Sequence, residues 1–165
     1  MKKHTYYIII VAMLLLIAFS IMLIIFLHNA DEIYEGNIRV RENDVTETTI
    51  PVRDLVMNPG VEKEYHVDLI CDATGSYFIH IDFEEKKDGG MKDFVEVTIL
   101  SNDKRVYQGP LTALLDDKLI FEFIGELDES EPHVLTFKYM MPLETGNEAQ
   151  GTSSNFDIHI VIKKA

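Results

Sequence analysis

The chain has 165 residues, enough for one domain with its own hydrophobic core. Its 28 acidic residues outnumber its 15 basic residues, and every acidic residue follows position 30. This balance disfavours nucleic acid as a partner, because phosphate binding requires clustered lysines and arginines. The single cysteine, Cys71, rules out an intramolecular disulfide and fits the low cysteine use common in proteins exported by Gram-positive bacteria.

The N-terminal part of the chain is strongly apolar. Residues 6–27 contain no Asp, Glu, Lys or Arg, and as a helix rising ~1.5 Å per residue they would span roughly 33 Å, enough for a hydrocarbon core of ~30 Å. Lys2 and Lys3 precede this run and Asp31 follows it, so the positive-inside rule places the N-terminus in the cytoplasm. The sequence therefore predicts a cytoplasmic tail at 1–5, a transmembrane signal-anchor at 6–28 and a linker at 29–36. The membrane is the first expected partner, with the C-terminal domain extracellular.

Cleavage of this segment as a signal peptide is the alternative. One candidate site follows Ala18-Phe19-Ser20, but cutting there would leave an apolar N-terminus. The other follows Ala30, but His28 occupies the position three residues before the cut, where a small residue is required. The apolar run is also longer than the roughly 7–15 residues of a signal peptide. We therefore expect a retained anchor in the cell membrane.

From residue 37 onward, apolar and polar residues alternate with the period of two that is typical of strands. The predicted strands are 37–40, 64–71, 76–83, 95–99, 119–123, 133–141 and 155–163. Glycine- or proline-containing turns separate most of them, and one short helix is predicted at 111–117. The pattern indicates an all-β domain at 37–165, an antiparallel jelly-roll-like sandwich preceded by the N-terminal helix.

The sequence shows no recognisable catalytic or metal-binding motif. Cys71 has the parity of core residues, which favours an inert buried thiol, and the charged stretch 84–88 is typical of a solvated strand end and loop. Three pairs two residues apart place a histidine and an aspartate on one strand face: His66 with Asp68, His80 with Asp82, and Asp157 with His159. Solvent-facing positions explain such pairs, and a mixed metal site would require neighbouring strands. We therefore predict no catalytic, metal-binding or cofactor-binding residues.

Three stretches carry a family resemblance. The first is 49–60, TIPVRDLVMNPG, which leads into the strand at 65–71 and the turn Thr74-Gly75-Ser76. The second is 141–151, MPLETGNEAQG, before the last strand, and the third is VYQGPL at 106–111. Over about residues 36–163 the chain resembles the TasA/camelysin family of exported biofilm-matrix and surface proteins. The resemblance implies a jelly-roll-like sandwich and release by a dedicated signal peptidase. It also implies, for some members, a metalloprotease activity, for which this chain has no zinc motif.

In that family, fibres are implied to form when an N-terminal strand passes to a neighbouring subunit. The corresponding candidate assembly strand here consists of Asn37, Ile38, Arg39, Val40 and Arg41. We therefore predict a membrane-anchored, non-enzymatic structural or interaction protein that associates with itself or with another surface protein. The alternatives are a partner-binding module of a membrane complex and a camelysin-like metallopeptidase.

Overall fold

The computed structural model describes residues 13, 16, 17, 20, 34–41, 44–116 and 121–165. The chain divides into two compact units, Met1–Glu32 and Ile33–Ala165. The predicted tail and the predicted transmembrane segment lie outside the described residues, apart from four helical positions between 13 and 20. Within the part of the chain that is described, no helix combines the length and the apolarity needed to cross a bilayer.

The second unit is built almost entirely of strands. Its described strands are β1 (Tyr34–Val40), β2 (Thr46–Leu55), β3 (Glu62–Cys71), β4 (Gly75–Gly89), β5 (Glu96–Ser101), β6 (Lys104–Pro110), β7 (Phe121–Leu127), β8 (His133–Met140) and β9 (Ser153–Lys164). A short helix, α1 (Leu111–Leu115), follows β6, and two 3-10 turns lie at Met91–Phe94 and Asn147–Ala149. The all-β prediction for this unit is confirmed.

The strands form two sheets that make a sandwich. Sheet A has the order β1-β3-β8-β5-β6, and sheet B has the order β2-β9-β4-β7. From β2 onward, consecutive strands lie in alternate sheets, except for the hairpin of β5 and β6. Neighbours are antiparallel throughout, apart from β1 and β3, which pair in parallel. The antiparallel prediction therefore holds from β2 to β9 and is wrong for β1.

The core lies between the sheets and is formed by alternate residues of each strand. The inward side chains of β4 and β9 are each at most 2% exposed: Tyr77, Ile79, Ile81, Phe83, Phe156, Ile158, Ile160 and Ile162. A slip of one residue would turn all of them to solvent, so burial fixes the register of these strands. Cys71 is 3% exposed in the same core, as its parity predicts.

Several boundaries differ from those expected. β1 begins at Tyr34, inside the predicted linker, and β7 runs to Leu127, beyond the predicted end at 123. β4 continues to Gly89 rather than ending before a solvated loop at 84–88. A register shift between Glu85 and Lys87 keeps this charged stretch paired with β9. The alternation alone did not reveal β2 or β6, because both are half-exposed edge strands with few apolar residues.

Candidate functional site

The outer face of sheet B brings together polar side chains from three neighbouring strands. Thr49 of β2 lies opposite His159 of β9, and His159 lies opposite Asp82 of β4. Two residues along, Asp157 of β9 lies opposite Glu84 of β4. Two of the three predicted histidine–aspartate pairs are therefore neighbours, whereas the third lies on β3 in the other sheet.

His159 links the three strands through both ring nitrogens. Its Nδ1 lies 2.9 Å from Thr49 Oγ1, and its Nε2 lies 3.0 Å from Glu84 Oε2. Cross-strand polar pairs of this kind stabilise a sheet by fractions of a kcal/mol, on the order of 0.2–1. The imidazole thus links β2, β9 and β4 across the outer face.

Two cations hold the carboxylates of this face. The Lys86 ammonium lies 2.7 Å from Glu84 Oε2 and 3.4 Å from Asp157 Oδ2. The Arg53 guanidinium lies 2.6 Å from Asp157 Oδ1 and also donates to the Phe156 carbonyl. Asp157 is only 7% exposed, although its outward position predicted a solvated side chain, because these two cations cover it. We call Thr49, Arg53, Glu84, Lys86, Asp157 and His159 the outer-face network.

Neighbouring charges keep the network ionised. The ammonium of Lys86 and then the imidazole of His159 lower the pKa of Glu84. Burial raises the pKa of Asp157, but Arg53 and Lys86 together outweigh it and hold this pKa below its ordinary value. Glu84 in turn raises the pKa of Lys86. Two carboxylates and two cations therefore balance one another at neutral pH.

Three residues of the network are spaced as metal ligands are, but a lysine side chain already contacts their carboxylates. Glu84, Asp157 and His159 offer ligand atoms that all lie within 4.8 Å of one another. Lys86 contacts both carboxylates, so a divalent ion would have to displace this ammonium. One imidazole and two carboxylates could ligate zinc only after that displacement. As arranged, the residues form an ion-pair network.

An open depression of about 350 Å³ adjoins the network on the same face. It is lined by Phe78, His80, Glu122, Val161 and Lys163. His80 lies opposite Val161 on one side and Glu122 on the other, and Phe78 lies between Lys163 and Ile124. The alternation predicted that His80 points outward, but which residues surround it depends on the order of β9, β4 and β7.

A second ion-pair cluster lies at the end of β4. Lys92, in the first 3-10 turn, is 8% exposed. Its Nζ lies 2.8 Å from Asp116, 3.0 Å from Glu85 and 3.1 Å from Asp88. These carboxylates raise the pKa of Lys92, with Asp116 contributing most. This cluster joins the charged end of β4 to the end of α1 and was not predicted from the sequence. The charged stretch 84–88 was its one visible signal.

The candidate assembly strand lies at an edge of sheet A. Ile38 and Val40 are 8% and 0% exposed and pack into the core of their own domain. Arg39 and Arg41 point to solvent and pair with Asp72 and Asp44 at 3.4 and 3.8 Å. β3 pairs with one side of β1, and no described strand pairs with its other side. The structure therefore brings residues 37–40 together as a strand, with Arg41 just after it.

No model of a known protein family matches this sequence, and no characterised protein matches it. Among solved structures, the CUB1-EGF-CUB2 domains of rat MASP-1 align with a TM-score of 0.40 and 9% identity over 76% of this chain and 42% of that chain. The Aeromonas hydrophila periplasmic lysozyme inhibitor PliG aligns with a TM-score of 0.36 and 6% identity, over 78% of this chain and 99% of that one. The C-terminal CBM6 of LamC from Zobellia galactanivorans gives a TM-score of 0.35 and 10% identity, over 73% and 100%. This chain thus spans less than half of the MASP-1 chain, and likenesses this weak carry no argument about function.

Proposed function

We propose that this chain is an extracytoplasmic structural or interaction protein, held at the membrane by residues 6–28, whose sandwich associates with other copies. The resemblance to the TasA/camelysin family motivates this proposal. We further propose that the sandwich is a jelly roll. The strand order supports it, because β2-β9-β4-β7 facing β3-β8-β5-β6 is the arrangement of a double Greek key.

The observation that carries the proposal is the position of β1. Edge strands expose backbone N–H and C=O groups that can pair with another chain. The edge strand β2 contains Pro51 and a register shift before Leu55, and the edge strand β6 ends at Pro110, all of which hinder further pairing. β1 contains no proline and no shift, and its parallel pairing with β3 is the weaker kind of ladder. The fourth edge strand, β7, also lacks proline and a register shift, but its ladder with β4 is antiparallel and it carries no basic residue. We therefore propose β1 as the edge that accepts a second chain.

Charge favours association through this edge. Arg39 and Arg41 are about three-quarters exposed, and the chain has a formal net charge of −13. Their ion pairs with Asp72 and Asp44 are exposed, so exchanging them for carboxylates of a second copy costs little. Complementary charge raises the rate of encounter and is weakened by salt.

Charge reversal at the two edges of sheet A tests the proposal. We expect the full-length Arg39→Glu/Arg41→Glu variant to assemble roughly 10-fold more slowly than wild type at low salt, because electrostatic steering is lost. Light scattering over time measures this, and 1 M salt should remove the difference. The matched control, Lys104→Glu/Arg105→Glu on β6, should behave like wild type. Equal rates for both variants, or a wild type that stays monomeric, would contradict the proposal.

Two other functions have observations in their favour. The depression beside the outer-face network supports a partner-binding module, and the grouping of Glu84, Asp157 and His159 supports a metallopeptidase. We propose that the chain does not hydrolyse peptides, because Lys86 already pairs with the carboxylates of Glu84 and Asp157. The full chain with added zinc should leave casein intact. Zinc-dependent cleavage that is lost in Glu84→Gln/His159→Ala, but kept in the sheet A control Glu62→Gln/His66→Ala, would establish the peptidase instead.

A further inference from the structure

Two of the four edge strands lack the features that hinder strand addition. β1 of sheet A and β7 of sheet B contain no proline and no register shift, and each has seven residues. β1 pairs with β3 and β7 pairs with β4, and no other described strand pairs with either of them. Both edges therefore offer a row of backbone N–H and C=O groups to a further strand.

The outward side chains at these two edges carry opposite charges. Arg39 and Arg41 are exposed at the β1 edge. Glu122 and Glu126 are exposed on β7, on either side of Ile124, which is 60% exposed. The two strands thus match in length and are complementary in charge, which favours their encounter.

The carboxylates of β7 have only surface contacts within their own domain to give up. Glu122 lies 3.7 Å from His80 Nδ1, and Glu126 accepts a hydrogen bond of 2.6 Å from the Ser76 hydroxyl. Exposed polar contacts of this kind contribute little to stability. Their exchange for an arginine of a second copy is therefore not opposed by the fold.

One antiparallel register brings the charged side chains together. With Arg39 of one copy opposite Ile124 of a second copy, Arg41 lies opposite Glu122. Glu126 is then a diagonal neighbour of Arg39, at a distance that long side chains reach. The aliphatic part of Arg39 would cover Ile124 while its guanidinium stays in water.

The strand order permits this contact. In the double Greek key proposed above, β1 is the one strand of sheet A without a counterpart in sheet B, so it extends beyond that sheet. Consider a second copy rotated by half a turn about an axis that lies in the sheet plane and crosses the strands. Its β7 comes to lie antiparallel beside β1, with the outward side chains of both strands on one face. The contact is heterologous and repeats along that axis without closing.

We propose that the β7 edge of a second copy is the partner of β1, through an antiparallel ladder in which the arginines of β1 meet the glutamates of β7. β1 remains paired with β3 in its own sheet, so no strand is exchanged. This inference rests on the proposed function, because it identifies the surface to which the β1 edge binds.

The first test reverses the charge of β7. In a mild non-ionic detergent at low salt, full-length Glu122→Lys/Glu126→Lys should assemble roughly 10-fold more slowly than wild type, as followed by light scattering. General repulsion predicts the opposite, because this variant has less net negative charge. The matched control Glu47→Lys/Glu96→Lys makes the same charge change at exposed carboxylates of β2 and β5. It should assemble at least as fast as wild type.

The second test mixes two variants that each assemble slowly alone. Chains with Arg39→Glu/Arg41→Glu have two acidic edges, β1 and β7. Chains with Glu122→Lys/Glu126→Lys have two basic edges. In an equal mixture, each acidic edge meets a basic edge of the other variant, so the rate should return to near that of wild type. Thermal melting of each variant alone shows whether it remains folded.

The third test examines the register with introduced cysteines. Chains carrying Arg39→Cys and chains carrying Ile124→Cys should form a mixed disulfide on assembly, because Cβ atoms directly opposite in such a ladder lie about 4.5–5.5 Å apart. The control Gln108→Cys, on the edge strand β6, should not cross-link to Arg39→Cys. Cys71 does not compete, because it is buried.

The outcomes distinguish this proposal from the proposed function. A wild type that stays monomeric would overturn both. Three results would each show that β7 is not the partner while association through β1 stands. They are a β7 charge reversal that does not slow assembly although the β1 reversal does, a mixture that does not recover, and assembled chains without the mixed disulfide.

Discussion

At the scale of single residues, partners rather than position along a strand decide which charges are buried. Asp157 and Lys92 are 7% and 8% exposed, and each is surrounded by opposite charges. Without a partner, the desolvation of a charge at such a position would destabilise the fold by roughly several kcal/mol. The alternation predicted that Asp157 points outward, but its burial depends on Arg53 of β2 and Lys86 of β4, whose placement requires the full strand order.

The same limit applies to the histidines. The sequence predicted the strand faces of His80 and His159, since direction in a strand depends only on parity. It could not predict that β4 and β9 are neighbours, because strand order depends on contacts between residues far apart in the chain. The outer-face network and the adjoining depression could therefore not be predicted from the sequence, although most of their residues lay in predicted strands.

His133 provides a residue-scale prediction of pH dependence. His133 is 5% exposed, its Nε2 lies 2.7 Å from Ser101 Oγ, and burial lowers its pKa. The unfolded chain, with an ordinary histidine pKa of about 6.5, takes up the proton more readily than the folded chain. The stabilisation by neutral His133 is therefore full above the unfolded pKa and declines as the pH falls below it.

We expect the difference in melting temperature between wild type and His133→Gln to be largest near pH 7.5 and to shrink towards pH 5.5. Thermal unfolding followed by circular dichroism across this range measures the difference, and glutamine cannot titrate. A difference that stays constant, or that grows on acidification, would show that burial of the neutral ring is not the cause.

At the scale of elements, strands with clear apolar alternation were predictable, whereas two of the four edge strands, β2 and β6, were not. β3, β4, β8 and β9 carry apolar residues at alternate positions, so their core faces could be predicted from sequence. β2 contains Thr48, Thr49 and Pro51, and β6 contains Gln108 and Gly109, so their alternation is weak. The parallel pairing of β1 with β3 was also hidden, because the intervening strand β2 lies in the other sheet.

β4 extends beyond the part of its sequence in which apolar residues alternate. Residues 84–89 are mostly charged, yet they remain paired with β9. The close approach of the two chains requires a glycine, because a Cβ at Gly89 would lie 2.2 Å from the Ser153 carbonyl oxygen. Lys92 then draws Glu85 and Asp88 together with Asp116 of the α1 end. Ion pairs therefore stabilise this end of β4 in place of hydrophobic burial, and Gly89 allows the close approach of the two strands.

At the scale of the whole molecule, association must overcome repulsion between copies with a formal net charge of −13. Like net charge keeps proteins apart in solution. Local complementarity is therefore required, and the exposed arginines of the β1 edge offer it.

Hydrogen exchange along β1, compared between dispersed and assembled full-length chains, tests the central claim most directly. β1 pairs with β3 on one side, so its amides on that side should be protected in either state, whereas those on the open side should exchange fast in the dispersed chain. Association through this edge predicts that the open-side amides of β1 become protected on assembly, while the open-side amides of β6 do not. Assembled material in which exchange along β1 is unchanged would contradict the account.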